Sequence, residues 1–282
     1  MTEPGRAIRR SIVSRFLRHR AAAAGLAVVA ALLLFALLAP WLSPFDPNAQ
    51  DLDSGLSGAS ASHWLGQDKL GRDLLSRAIH GSRISVLVGL GTVAISLTIG
   101  LIAGSASGFF GGRVDHLFMR VCDVLMAFPG ILLAIGITAA LGPSLRNVLI
   151  ALSLLGWVGY ARLIRAQVMK VKEMEFVESA RASGNPPARI LVSHVLPNAL
   201  SPIIVEATFG IGRAIVAEAG LSFLGLGVAP PAPSWGAMIN EGRHFLFVAP
   251  HIAAVPGLAI MATVMAFNLI GDGLRDAMDV RD

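Results

Sequence analysis

Long apolar runs, separated by short clusters of charge, glycine and proline, set the pattern of this chain. The first, "AAAAGLAVVAALLLFALLAPWL", carries no charge and matches the about 20 residues that a helix needs to cross a bilayer. Runs of similar length cover 84–108, 117–141, 147–168, 199–222 and 248–271. With 22–42 they predict six transmembrane helices in an all-α, polytopic membrane protein, because in lipid each backbone amide must find its partner within its own helix. The pattern divides the chain into a basic segment 1–21, a first helix 22–42, a loop 43–83 with an amphipathic helix, and a five-helix core 84–271. The core holds a polar loop at 170–198, and a tail 272–282 follows it.

Composition agrees with this pattern. The 282 residues are 54% hydrophobic and 15% charged, with a mean hydropathy of +0.68, so the bilayer is the main solvent. The net charge of +5 matters less than its distribution. Arg6, Arg9, Arg10, Arg15, Arg18 and Arg20 precede the first apolar run and place the N-terminus in the cytoplasm. That run exceeds a signal-peptide core and ends in Pro40-Trp41 instead of a small-x-small site, so it reads as retained. Alternation over six spans then puts both termini, the turn at Gly111-Gly112-Arg113 and the loop 170–198 in the cytoplasm of a multi-pass cell-membrane protein. The loops 43–83 and 223–247 face outward. Arg113, Arg120, Arg162, Arg165, Lys170, Lys172, Arg181, Arg189 and Arg275 all fall on the inner side of this scheme. A nucleic-acid partner is not expected.

The chemistry of an enzyme is missing from the pattern. The lysines are Lys69, Lys170 and Lys172, none of which follows a glycine, so the chain has no phosphate-wrapping G-x-x-x-x-G-K-[ST] loop. The seven histidines are scattered without the close pairing a metal site favours. Cys122, the single cysteine, lies in an apolar run and reads as a small buried hydrophobe. No catalytic residue, bound cofactor or metal is expected.

One polar stretch stands out, "EFVESARASGNPPARILVSHVLPN" at 175–198. Good helix formers run from Lys172 to Ser183, and Gly184 can take the left-handed conformation that ends a helix. Asn185 before Pro186 disfavours further helix, Pro187 suits the first turn of a second short helix, and Pro197 is expected to close it before the fifth span. The result is a helix–elbow–helix projecting from the membrane, with Glu178, Ala180 and Gly184 on or near one face.

These residues resemble a known family. Glu178-Ser179-Ala180, Gly184 four positions later and Val195-Leu196-Pro197-Asn198 look like the EAA loop of permease subunits in binding-protein-dependent ABC importers. The sequence departs from the family pattern at Ser179, where alanine is usual, and at Asn185-Pro186-Pro187. Four further stretches, 63–89, 108–135, 218–239 and 268–279, are similar to the dipeptide and oligopeptide permease subunits of the second type. The resemblance implies a type I ABC importer permease fold and a coupling helix in which Glu178, Ser179, Ala180, Gly184, Val195, Leu196 and Pro197 meet a separate ATPase. It implies a heterodimer with a homologous permease, two ABC ATPase subunits that use ATP and Mg, an extracytoplasmic substrate-binding protein and a surround of membrane lipid. The expected activity is alternating-access import of di- or oligopeptides, with nickel chelate, glutathione or haem as alternatives on the same scaffold. An ion-coupled secondary transporter is the rival of another class, and it expects inverted repeats that the sequence does not display.

For the pathway, charges inside spans are costly and face a cavity or a partner. Glu206 and Arg213 lie seven apart on one face of the fifth span, and Glu218 follows. Ser222, Phe223 and Gly225 belong to "GLSFLGLG", where glycines permit close packing or a bending gate. Asp68, Arg72 and Asp73 are expected on the amphipathic outer helix, and Asp115 and Asp123 as contacts at the cytoplasmic edge.

Overall fold

The computed structural model describes residues 15–16 and 18–278, so the start of the basic segment 1–21 and the end of the tail 272–282 lie outside the described residues. The described chain is helical: α1 Arg20–Leu42, α2 Leu74–Phe110, α3 Gly112–Met126, α4 Gly130–Leu141, α5 Leu145–Val171 and α6 Glu175–Ala182 come first. Then follow α7 Pro187–Phe223, α8 Trp235–Gly242 and α9 His251–Met278. Five of these, α1, α2, α5, α7 and α9, are long and apolar enough to cross a membrane. Counting the bent pair α3–α4 as one passage gives six.

The third span thus departs from the single helix expected over 117–141. α3 and α4 meet at 83°, at Phe128-Pro129-Gly130. Pro129 has no amide hydrogen to continue the ladder and sits at ψ 117°, so helix resumes only from Gly130.

The helices close on each other through small residues. Gly100, Gly104 and Gly108 form a stripe on α2 against which α5 lies. A β-carbon on Gly100 would sit 2.6 Å from Tyr160 Cβ, and one on Gly108 2.8 Å from the Arg165 carbonyl. Gly104 faces the Ala161 carbonyl more closely still. Within a membrane, where apolar side chains gain little by leaving lipid for protein, such close backbone approach supplies the packing energy. On the other side, α1 packs on α9, Gly25 against Ala266 and Gly273 against Ala22. The outward side of α1, with Leu34, Phe35, Leu37 and Trp41, is exposed as expected of a lipid-facing helix. Cys122 is buried and free, packed with Trp157, Val158 and Ala161.

The loop 43–73 also differs from expectation. Helix begins only at Leu74, and Leu65–Asp73 is a series of turns folded inward in place of an amphipathic surface helix. Its charges are buried because they pair. Arg72 Nε donates to Asp68 Oδ2 at 2.5 Å and Arg72 Nη2 to Glu241 Oε2 at 2.6 Å. Arg77 lies 3.5 Å from Asp68 and 3.6 Å from Glu241. Asp73 caps α2 by accepting from the Ser76 amide at 2.7 Å, and its other oxygen meets His63 Nδ1 at 2.9 Å. Two acids and two guanidiniums therefore rivet this loop to α8, a contact that periodicity does not reveal.

Candidate functional site

The elbow is held in shape by its local geometry. Gly184 stands at φ +76°, the left-handed position where a β-carbon would be strained. Its amide donates to the Arg181 carbonyl at 3.0 Å while the Asn185 amide donates to Ala180 at 3.3 Å, the paired bonds of a Schellman cap. The Asn185 side chain adds a third bond, Nδ2 to the same Ala180 carbonyl at 3.0 Å. Pro186 turns the backbone at ψ 148° and Pro187 opens α7, which leaves the departure Asn185-Pro186-Pro187 with a definite shaping role.

Beneath the elbow, Val177, Ala180, Ile190 and Val195 are buried in one cluster with Val168 and Val171 of α5 and Ala199 and Ile203 of α7. Glu178, Ser179, Gly184 and Pro197 face outward, and Leu196 is half-buried. The face expected to group Glu178, Ala180 and Gly184 is therefore divided. Ala180 and Val195 hold the elbow to the bundle, and Phe176, Glu178, Ser179 and Arg181 form the free surface.

Pro197 does not close the second helix. The turn Leu191–Val195 widens to a π-turn, in which the Leu196 amide reaches the Leu191 carbonyl, and helix then continues to Phe223. A widened turn gives room for a proline that cannot donate and would crowd the carbonyl four residues back. Elbow and fifth span are thus one continuous shaft.

Three ties brace the neighbouring helix ends. Lys172 Nζ donates to the Gly108 carbonyl at 2.9 Å, and Arg165 grips Asp115 through two bonds of 2.5 and 2.6 Å. Arg162 pairs with Asp123. The contacts expected of Asp115 and Asp123 are present, and their partners lie on α5.

Along the shaft the charged residues separate into two groups. Arg213 Nη2 donates to Glu206 Oε1, one ion pair on an exposed face, with 62% and 38% of the side chains accessible. Glu218 is fully buried on another face, where Ser222 Oγ donates to it at 2.6 Å. Phe223 ends the helix beneath the Arg243 guanidinium, 5.3 Å from the ring centroid, and Gly225 at φ +79° forms a second Schellman cap through Ser222 and Leu221. Gly225 therefore makes a fixed turn, and Gly220 touches nothing that would mark a packing contact.

Two hollows flank the ion pair. One of about 310 Å³ lies between α2, α4, α5 and α7 and is lined by Thr92, Ser96, Tyr160, Arg213 and aliphatic side chains. The other, about 480 Å³, holds Glu206 and, from α9, Arg275. Tyr160 and Thr92 escaped notice in the sequence because a lone tyrosine or threonine in an apolar run carries no periodic signal.

Comparison with known proteins assigns this architecture. The sequence profile of the family described as "Binding-protein-dependent transport system inner membrane component" matches residues 96–281, and that of the "N-terminal TM domain of oligopeptide transport permease C" matches 8–57. The glutathione transport system permease protein GsiD of Pectobacterium atrosepticum is 47% identical over 267 residues, covering 94% of this chain and 88% of the relative. GsiD from Escherichia coli is 47% identical over 266 residues, with the same coverage of both chains. The methionine ABC transporter MetNI, in inward-facing conformations, shares the fold at a TM-score of 0.58 and 18% identity over 72% of this chain and 96% of that one. Family and fold together remove the ion-coupled alternative. The chain belongs to the family of inner-membrane permease subunits of binding-protein-dependent ABC importers.

Proposed function

We propose that this permease imports a short peptide, glutathione foremost, and that its elbow receives the stroke of a separate ATPase. The relatives named for glutathione transport, at 47% identity across nearly the whole chain, favour that cargo over nickel chelate or haem. The observation that carries the coupling role is the elbow itself. It is capped by three bonds onto Ala180 and Arg181, seated on buried Val177 and Ala180, and continuous through Pro187 with a transmembrane shaft. A rigid projection passes on a push, whereas a floppy loop absorbs it. Its free face offers Phe176, Glu178, Ser179 and Arg181 to a partner.

In this reading the elbow end is cytoplasmic, as the arginine-rich N-terminus and the positive-inside rule favour. A homologous second permease completes a heterodimer, two ATPase subunits bind below and use ATP and Mg, and a binding protein delivers cargo to the far face. The permease itself catalyses no bond chemistry and holds no cofactor.

The test is reconstitution. The complete transporter in liposomes, supplied with its binding protein, ATP and radiolabelled glutathione, is expected to accumulate label only with ATP inside the compartment that faces the elbow. Retention of no ATP-hydrolysing subunit on co-purification would sink the coupling role, and loaded binding protein without uptake would sink the cargo.

A further inference from the structure

We propose that Arg213 is a carboxylate subsite in the translocation path, occupied by Glu206 at rest and by the cargo's carboxylate during transit. The proposal rests on the peptide-import reading given above and extends it to a named group.

Charge at membrane depth is costly. A guanidinium at membrane depth is tolerated only where it is paired or meets water, and Arg213 is 62% exposed, so its face must line a wet cavity or a partner. Arg213 is part of the wall of the first hollow, which favours the cavity. In the same wall, Tyr160 Oη and Thr92 Oγ1 are buried, with side chains 6% exposed each, and neither has a hydrogen-bond partner. Buried hydroxyls without partners are rare in folded proteins and mark sites where a ligand or water is received. The hydroxyl of Tyr160 is pressed against Gly210, one turn before Arg213, where any side chain would displace it. One cation, Arg213, thus shares a largely apolar wall with the polar residues Thr92, Ser96 and Tyr160, the composition of a small polar-ligand site.

Glu206 makes the subsite reversible. It accepts from Arg213 but lies in the wall of the second hollow, beside Arg275. An incoming carboxylate can take over Arg213 while Glu206, whose side chain also lines the second hollow, is released towards that space. Leaving one partner of a desolvated pair alone is the expensive event, and exchange avoids it for Arg213. Arginine suits this task because its planar fork matches a carboxylate.

A purely structural ion pair makes a different prediction, so exchanging the two residues separates the ideas. Uptake of radiolabelled glutathione is measured in liposomes holding the complete transporter, with assembly checked by co-purification of all subunits. Glu206→Arg combined with Arg213→Glu preserves the pair but puts an anion in the hollow. Uptake is expected to fall by about tenfold or more, as is the single variant Arg213→Ala, while Arg213→Lys keeps roughly a third. Wild-type uptake in the exchanged variant or in Arg213→Ala overturns the subsite. Where the exchanged variant does not assemble, Arg213→Ala against Arg213→Lys decides, and equal loss in both overturns it. A wild-type transporter that imports no glutathione overturns the cargo reading instead.

Discussion

Gly184 is the residue on which the elbow turns. At φ +76° a β-branched side chain is strained by about 1–2 kcal/mol, whereas asparagine tolerates the left-handed region. Gly184→Val is therefore expected to purify with its partners but to hydrolyse ATP without matching uptake, and Gly184→Asn to stay close to wild type in parallel transport and hydrolysis assays. The far side of the bundle has a comparable dependence on single groups. Arg77 is 2% exposed between Asp68 and Glu241, and Arg77→Met leaves two acids facing one guanidinium. The loss is expected to be about 3 kcal/mol or more, read as a lowered Tm of the solubilised protein. Asp68 and Arg72 were visible in the sequence as charges, but their burial was not. It depends on Glu241, 169 residues from Arg72 in the chain.

The helices differ in how they are joined. α2 and α5 are locked by Gly100, Gly104 and Gly108, and Gly104→Leu would drive a side chain into the Ala161 backbone. Such overpacking is expected to destabilise by about 1–3 kcal/mol and to reduce the yield of folded permease in a size-exclusion assay. α7 differs in being jointed: Pro202 lies within it, and its turn at Leu191–Val195 widens to a π-turn. Softening that joint with Val192→Gly and Ser193→Gly costs about 1 kcal/mol of helix propensity per site. It is expected to leave stimulated ATP hydrolysis intact while uptake falls. The apolar runs located the spans because lipid demands continuous hydrophobicity, and Gly184 marked the elbow because few residues accept its conformation. Pro197 misled for the opposite reason: a proline forbids a hydrogen bond locally, yet a widened turn upstream let the helix pass. Pro129 carried the same local signal and did break its span, and the widened turn at Leu191–Val195 is what separates the two cases.

Many charges of the bundle are cancelled by a neighbour of opposite sign, Glu218 with only the Ser222 hydroxyl being an exception. Glu206 faces Arg213, Arg165 faces Asp115, and the loop–α8 network joins two acids to two bases. The sequence showed which residues were charged, while the cancellation emerged only from the fold, since most partners sit on different helices. The pairing of Glu206 with Arg213, on the proposal that it lines the pathway, has an electrical consequence. The proposed cargo glutathione carries two carboxylates against one ammonium, and a fixed wall contributes no countercharge that travels with it. An interior-negative potential then opposes entry by about 2.3 kcal/mol per elementary charge for each 100 mV. Vesicles clamped interior-negative by a potassium diffusion potential are accordingly expected to take up glutathione more slowly than depolarised ones, so that part of each ATP's work is done against voltage.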